Sequence, residues 1–419
     1  MKKGYKQTEL GEIPVDWEVR KLINTVNKSD KYSFIGGPFG SNLKSSDYTF
    51  KGIRVIQLQN IGEGKFNYDY TIYTSKEKAD ELIGSNIFPG DIIIAKMAEP
   101  VARACKIPNI EERFLMCSDG IRLSVDKNKY ETDYIIYSIN SKYFRKQAIS
   151  CCTGTTRLRI GLVELRKLLI FIPPLKEQQK IADILSTVDE QIEQTDALIE
   201  KTKILKKGLM QKLLTKGIGH TEFKKTEIGE IPLEWEVRRL GEVSEIVMGQ
   251  SPLSSSYNDK GEGIPFFQGK TEFGALNPVV KKWCSKPTKI SNPKDILISV
   301  RAPVGDVNIN NVKACIGRGL AAIRENNIIK YKYIFYLLLS RKLLFEKYCQ
   351  GSTFTAIRTK DLKELKIPLP KIEEQCEISD ILYTIDTKIE QCEAKKEKLQ
   401  TLKKGLMQKL LTGKIRVKV

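Results

Sequence analysis

Residues 8–22, TELGEIPVDWEVRKL, return at 226–240 as TEIGEIPLEWEVRRL, identical at 11 of 15 positions. A second match follows: Gly154 to Thr215 aligns without a gap on Gly351 to Thr412, with 32 identities in 62 positions, including the string KKGLMQKLLT. The offsets are 218 and 197 residues, so the copies differ in what lies between the matched parts, 131 residues (23–153) in one and 110 (241–350) in the other. Two near-identical frames thus carry two unlike inserts, as suits a device that presents two different readers on one symmetric support. The expected boundaries are 1–153 for a frame segment with the first reader and 154–222 for a region with a long helix. They continue with 223–350 for the second frame segment and reader, and 351–419 for the second helical region.

The 419 residues are 41% hydrophobic, enough for two or three domains with buried cores. No run approaches the ~18–20 apolar residues that span a bilayer, and the N-terminal MKKGYKQTELGEIP lacks the apolar core of a signal peptide. The expected setting is the cytoplasm, with no membrane contact. Nine cysteines without a C-x-x-C pair suggest neither a disulfide framework nor a zinc finger, and read as small apolar side chains. The net charge of +19 is spread over frames and readers with no basic tail, which favours a polyanion lying across a folded surface. Nucleic acid is the better reading of that charge than solubility alone.

From Lys176 to Leu213 the apolar residues fall mostly three and four apart, at Ile181, Ile184, Val188, Ile192, Ile199, Leu205, Leu209 and Leu213. The second copy repeats the pattern at Ile378, Ile381, Ile385, Ile389, Leu399, Leu402, Leu406 and Leu410, with Cys392 and Lys396 between. Each is a helix with a narrow seam, and prolines just upstream set its entry. A rod of roughly 57 Å does not bury such a seam alone, and its natural partner is the other copy. Antiparallel pairing would relate the copies by a pseudo-two-fold axis, matching the dyad of a DNA duplex. Gly208 and Gly405, inside the repeated KKGLMQKLL, are either tolerated helical glycines or points of close approach by the other helix or by a partner chain.

The fold class expected is therefore α+β: two mixed α/β readers joined by two long antiparallel helices in a coiled coil, with an internal pseudo-two-fold repeat. Strand candidates in the readers are RVIQLQNI (54–61), DIIIAKM (91–97), DILISVRA (295–302) and CIGRGLAAIR (315–324), with helices at 133–148 and 330–348. FPGDIIIAKM corresponds to NPKDILISVR, so the readers share one fold with diverged surfaces. In the loop GGPFGSNLKSS (36–46), Ser41, Asn42, Lys44 and Ser45 suit phosphates or base edges, or the loop is simply a tight glycine turn. Lys96 and Arg103 in the first reader, and Arg301 and Arg318 in the second, leave strand ends where a cation reaches guanine, if they are not solvated surface charges. Thr155 and Arg157 in CTGTTR, and Ser352 and Thr353 in QGSTF, stand where each reader returns to its frame and suit phosphate contacts. Lys270 joins the candidates from GIPFFQGKT (263–271), which ends like a Walker A loop but has five residues between its glycines where four are required.

The sole histidine, His220, lies in a linker expected to face solvent. One histidine excludes H-E-x-x-H, a two-histidine metal site and ordinary triad chemistry, and no G-x-G-x-x-G follows a strand. No metal site, cofactor or catalytic group is expected, and recognition is what remains.

The sequence of LGEIPxxWEVxxL, a variable segment, a glycine–hydroxyl turn, proline followed by Glu177-Gln178 or Glu374-Gln375, and a long helix ending in KKGLMQKLLT, all repeated, resembles the specificity subunit of type I restriction–modification systems. GPFGSNLKSSDY, DILISVRAPVGDVNI and KGLMQKLLTGK are similar to strings of that family, and the resemblance covers the full chain. It implies two target recognition domains, each reading one half of a bipartite, asymmetric duplex sequence, and paired helices that set the spacer. It also implies two docked methyltransferase subunits that bind S-adenosylmethionine and methylate adenine, ATP-dependent restriction subunits that add translocation and cleavage, and a specificity subunit that is itself non-catalytic. The family's matching positions are Trp17 and Trp235, Gly154 and Gly351, Glu177 and Glu374, and the helix tails. A stand-alone DNA-binding regulatory or architectural protein is the alternative; a scaffold indifferent to DNA and an undetected nuclease rank below it.

Overall fold

Four consecutive buried residues, Ile92–Ala95, explain the layering of the first reader. Side chains alternate along a strand, so Ile92 and Ile94 enter one core with the helix Thr132–Ile139, while Ile93 and Ala95 enter a second core under another sheet. A strand covered on both faces reads as a continuous apolar run rather than an alternating one. Ile296–Ser299 repeats this in the second reader: Ile296 and Ile298 face the helix Tyr331–Ser340, and Leu297 faces the opposite core.

The computed structural model describes residues 4–97, 99–154, 156–342, 345 and 356–418. It divides into two units, Met1–Gln194 with Lys396–Val419, and Thr195–Lys395. In the first unit a four-stranded antiparallel sheet runs in the order Ala104–Lys106, Ile92–Ala95, Gly120–Leu123, Phe34–Gly36. A five-stranded sheet runs Tyr48–Thr49, Tyr73–Thr74, Ile53–Ile56, Phe114–Met116, Asn86–Ile87, with one parallel pair, Ile53–Ile56 beside Phe114–Met116. The frame contributes a ribbon, Tyr5–Thr8 with Gly11–Pro14, and the pair Glu18–Lys21 with Leu169–Ile172.

The second unit has the same topology. Its four-stranded sheet is ordered Val307–Ile309, Ile296–Ser299, Leu320–Arg324, Glu245–Met248, and its five-stranded sheet Tyr257–Asn258, Trp283–Cys284, Ile264–Phe267, Ala314–Ile316, Ile290–Ser291. The parallel pair is again the third strand with the fourth. Phe223–Thr226 pairs with Gly229–Pro232, and Glu236–Arg239 with Lys366–Leu369. The readers are one fold. CIGRGLAAIR (315–324), expected as one strand, is two, because Gly317 and Gly319 turn the chain between the sheets. The helix expected over 133–148 is likewise two, Thr132–Ile139 and Lys142–Ser150, the second capped by Ser141.

The long helices are Leu175–Lys216 and Ile372–Leu410. Each unit contains part of both, and within each unit they run antiparallel: Asp189 pairs with Lys403 in the first, and Lys203 with Glu393 and Lys206 with Asp386 in the second. One series of buried or half-buried positions alternates four and three apart along each helix, at 181, 185, 188, 192, 195, 199, 202, 206, 209 and 213, and at 378, 382, 385, 389, 392, 396, 399, 403, 406 and 410. This is the heptad of a coiled coil.

The expected seam residues divide. Ile181, Val188, Ile378 and Ile389 are buried in it and Ile192 and Ile385 half-buried, whereas Ile184 is half-buried beside it, its heptad place taken by Leu185. Leu205, Ile381 and Leu402 are not in the seam; Leu205 is 54% exposed and Leu402 50%. The heptad gives Ile381's place to Leu382, and the places next to the two leucines to Lys206 and Lys403. A lysine stem fills such a position while its ammonium meets a carboxylate across the seam, so an apolar-only scan selects the neighbouring leucine. Both helices end in a left-handed glycine, Gly217 (φ 65°) and Gly413 (φ 67°).

Candidate nucleic-acid interface

Each reader is tied to the helices by the same three side chains. Tyr137, on the helix Thr132–Ile139, donates its hydroxyl to Asp189 (2.9 Å), which pairs with Lys403, whose ammonium lies 5.7 Å from the Tyr137 ring centre. In the second unit Tyr336 donates to Asp386 (2.8 Å), Asp386 pairs with Lys206 (2.6 Å), and Lys206 lies 5.5 Å from the Tyr336 ring. Burial raises both phenol pKa values far above the ordinary range, and the adjacent carboxylate adds to it, so both phenols stay hydrogen-bond donors. The repeated glutamine of the proline-EQ step makes a second tie. Gln178 accepts from Glu131 N and donates to Pro173 O, and Gln375 accepts from Lys330 N and donates to Pro370 O and Ile328 O.

The adjacent glutamates hold the frame tryptophans. Trp17 Nε1 donates to Glu177 (3.0 Å), and Trp235 Nε1 to Glu374 (2.8 Å). Glu177 also receives Arg416, which forks onto Asp16, and these hydrogen bonds raise the arginine's pKa. Glu374 receives Ile218 N and His220 Nε2 (2.9 Å) in the corresponding place. His220 is thus mostly buried against Glu374 and edge-on to Trp235, not a solvent-facing linker residue. The left-handed turn at Gly217 carries it back onto the frame.

At one end of each four-stranded sheet four loops converge. In the first, Gly37 N donates to Gly120 O, Lys96 N to Asp119 O, and Ile160 N to Lys96 O, while Arg159 pairs with Asp119 (2.8 Å). Lys96 sits beneath them, its Nζ on Ser118 O (2.7 Å); burial lowers its pKa, with Arg159 as a lesser cause. In the second reader Gly249 N donates to Leu320 O, Val300 N to Gly319 O, and Ile357 N to Val300 O. Val300 therefore takes the place of Lys96.

The sequence candidates are placed unequally around this rim. Ser41, Asn42, Lys44, Ser45 and Arg157 are exposed at the first, and Arg301 and Arg318 at the second, where Arg318 N donates to Ser251 Oγ (3.3 Å). Lys96 supports loops from inside. Arg103 holds the turn Leu58–Asn60 through Leu58 O and Ile61 O, and burial lowers its pKa. Lys270 is paired with Asp306 (2.7 Å), which also holds Lys342. Thr155, Ser352 and Thr353 lie outside the described residues. The sequence reading did not single out Arg159, Tyr137, Tyr336, Asp189 or Asp386. The last four are signalled by their recurrence near the 197-residue offset.

Among the described residues no cluster of histidine, cysteine or carboxylate is arranged to hold a metal, and no helix is long and apolar enough to cross a membrane. Burial pushes the Cys105 thiol up to about 12, so it is a packing group and not a nucleophile.

The family model for the type I restriction modification DNA specificity domain matches residues 6–203 and again 232–401. The chain belongs to that family. It is 40% identical to the putative type I restriction enzyme MjaX specificity subunit of Methanocaldococcus jannaschii, over 99% of this chain and 97% of the relative. It is 24% identical to the EcoBI specificity subunit of Escherichia coli over 81% of this chain and 74% of that one. A chain solved in work on the complex assembly and conformational transition of the type I system matches with 26% identity, a TM-score of 0.60 and coverage of 96% and 99%. The specificity subunit of M. genitalium shares the fold, with a TM-score of 0.62 at 17% identity over 94% and 96%. Specificity subunits are the non-catalytic, DNA-recognising members of these systems.

Proposed function

We propose that the two readers each recognise one half of a bipartite, asymmetric duplex DNA sequence, within a cytoplasmic complex that contains two methyltransferase subunits and restriction subunits. One observation carries this: readers of identical topology, held to the antiparallel helices by the same tyrosine–aspartate–lysine bridge, differ in their loops, where Lys96 of one stands in the place of Val300 of the other and the loop to Ser45 is longer than the loop to Ser254. A frame kept constant with rims that differ suits two different half-sites at a fixed spacing. Arg157, Arg301 and Arg318 supply guanidinium groups for guanine edges or phosphates; Ser41, Asn42, Lys44 and Ser45, with Thr155, Ser352 and Thr353, supply shorter phosphate and base contacts. Lys96, Arg103 and Lys270 set the shape of the loops.

The methyltransferases dock on the outer faces of the long helices. Leu205 and Leu402 are exposed there, each one turn before a glycine, Gly208 or Gly405, whose missing Cβ faces open space. Close approach of a partner helix accounts for an exposed leucine and a bare backbone on one face in both copies. The test is reconstitution with the methyltransferase and sequencing for methylated adenine. Methylation confined to one bipartite motif with unlike halves is expected, and a stand-alone regulator would instead bind a specific sequence tightly without the partner.

A further inference from the structure

The loop that leaves the four-stranded sheet at Gly37 or Gly249 carries a large apolar side chain pointing into solvent in both readers: Phe39, 82% exposed, and Leu253, 77% exposed. The surrounding backbone is fastened. Gly37 N donates to Gly120 O (2.8 Å), Asn42 N closes a turn on Phe39 O (2.8 Å), and Leu43 anchors the loop in a core with Val55 and Leu115. In the second reader Gln250 N donates to Ile316 O (3.0 Å), Tyr257 donates its hydroxyl to Pro252 O (2.8 Å), and Thr288 donates its hydroxyl to Gln250 O (2.6 Å). The tips are held out by design of the loop, with Ser41, Asn42 and Lys44 beside one and Ser251 and Arg318 beside the other.

On a basic, hydroxyl-rich rim that faces a duplex, the apolar feature a side chain can meet in the major groove is the 5-methyl group of thymine. Cations and amides do not distinguish it; a phenyl or isobutyl group does. Resting on the DNA-reading function proposed above, we propose that Phe39 and Leu253 are specificity-determining residues, each packing on a thymine methyl in its own half-site. Phe50, fully exposed in the first reader, has no counterpart in the second and is left out of this assignment.

The experiment uses the complex reconstituted with its methyltransferase and the target mapped by methylation sequencing. Thymines are replaced one at a time by uracil, which removes only the methyl group. The wild-type complex is expected to bind about fourfold more weakly at one position in each half, the effect of one buried carbon. Phe39→Ala should abolish that difference in one half and keep it in the other, with Leu253→Ala doing the converse; both side chains are exposed, so the melting temperature of the free subunit should not move. Neutral uracil at every position, or Phe39→Ala retaining the difference in both halves, overturns the assignment while leaving the bipartite reading intact. Loss of methyltransferase assembly with unchanged uracil discrimination would make the tips protein contacts instead. A complex that methylates no bipartite sequence would fail the underlying reading, and this one with it.

Discussion

The two readers agree below and differ above. Tyr137–Asp189–Lys403 and Tyr336–Asp386–Lys206 are the same device, and the aspartate just before each central strand, Asp91 or Asp295, pairs with an arginine of the neighbouring strand, Arg122 or, two positions further along, Arg324. At the rim, Lys96 stands where the second reader has Val300, and the loop from Gly37 to the turn Ser45–Asp47 is longer than the loop from Gly249 to the turn Ser254–Ser256. Parts that position a reader are thus held fixed by buried, mutually dependent contacts, whereas the rim loops proposed to meet DNA are exposed and free to change without unfolding anything.

Breaking the base should have the largest effect. Asp386→Ala leaves Lys206 and the Tyr336 hydroxyl unpaired in a nearly closed site and is expected to cost about 3 kcal/mol. Asp189 is a third exposed, so Asp189→Ala is expected to cost about 1 kcal/mol. Thermal unfolding of the free subunit measures both, and equal losses would mean the two bridges are not differently buried.

Substitution at the rim should do the reverse. Arg301→Ala and Arg318→Ala are expected to leave unfolding unchanged. Each should relax discrimination by about 1–3 kcal/mol at one base pair of a single half-site if it forks onto guanine. A competition assay with singly altered duplexes reads this, and a uniform loss across sequences would assign the residue to phosphate.

A smaller effect separates frame from partner. Gly208→Ala and Gly405→Ala place a methyl in open space and should each stabilise the isolated subunit by up to about 1 kcal/mol. If a partner helix crosses there, the same variants weaken methyltransferase binding in a titration; undiminished binding would remove the glycines from the docking face.

The smallest is electrostatic. Burial pushes Asp306 up, but Lys270 and Lys342 outweigh it, so its pKa is lowered in the folded state. A lowered carboxylate pKa contributes stability above the unfolded value, roughly 3.9, and that contribution is lost as the pH falls through the folded value. Acid unfolding should therefore be steeper below about pH 4 for the native protein than for Asp306→Asn.

How much of this was legible beforehand follows from which contacts are periodic. The duplicated frame, the long helices and the common reader fold are written in repeats and in apolar spacing, which sequence shows directly. Apolar spacing points to Leu205 and Leu402 because Lys206 and Lys403 hold the heptad positions with polar-tipped side chains, and to Ile184 and Ile381 because each stands beside an equally apolar leucine, Leu185 or Leu382. His220 looked like a linker residue because its partner, Glu374, is 154 residues away and the turn that joins them depends on one left-handed glycine. Exposed rim arginines and loop-supporting lysines are chemically alike in sequence. Only burial and partners separate Arg301 and Arg318 from Lys96, Arg103 and Lys270.

The central claim is that an interchangeable reader sets each half of the target while the frame sets their relation. It is tested by replacing residues 241–350 with the first reader, residues 23–153, and mapping methylated adenines in the reconstituted complex. The account predicts a symmetric target, the first half-site followed by its inverted repeat. An unchanged asymmetric target, or a direct repeat of the half-site, would contradict it.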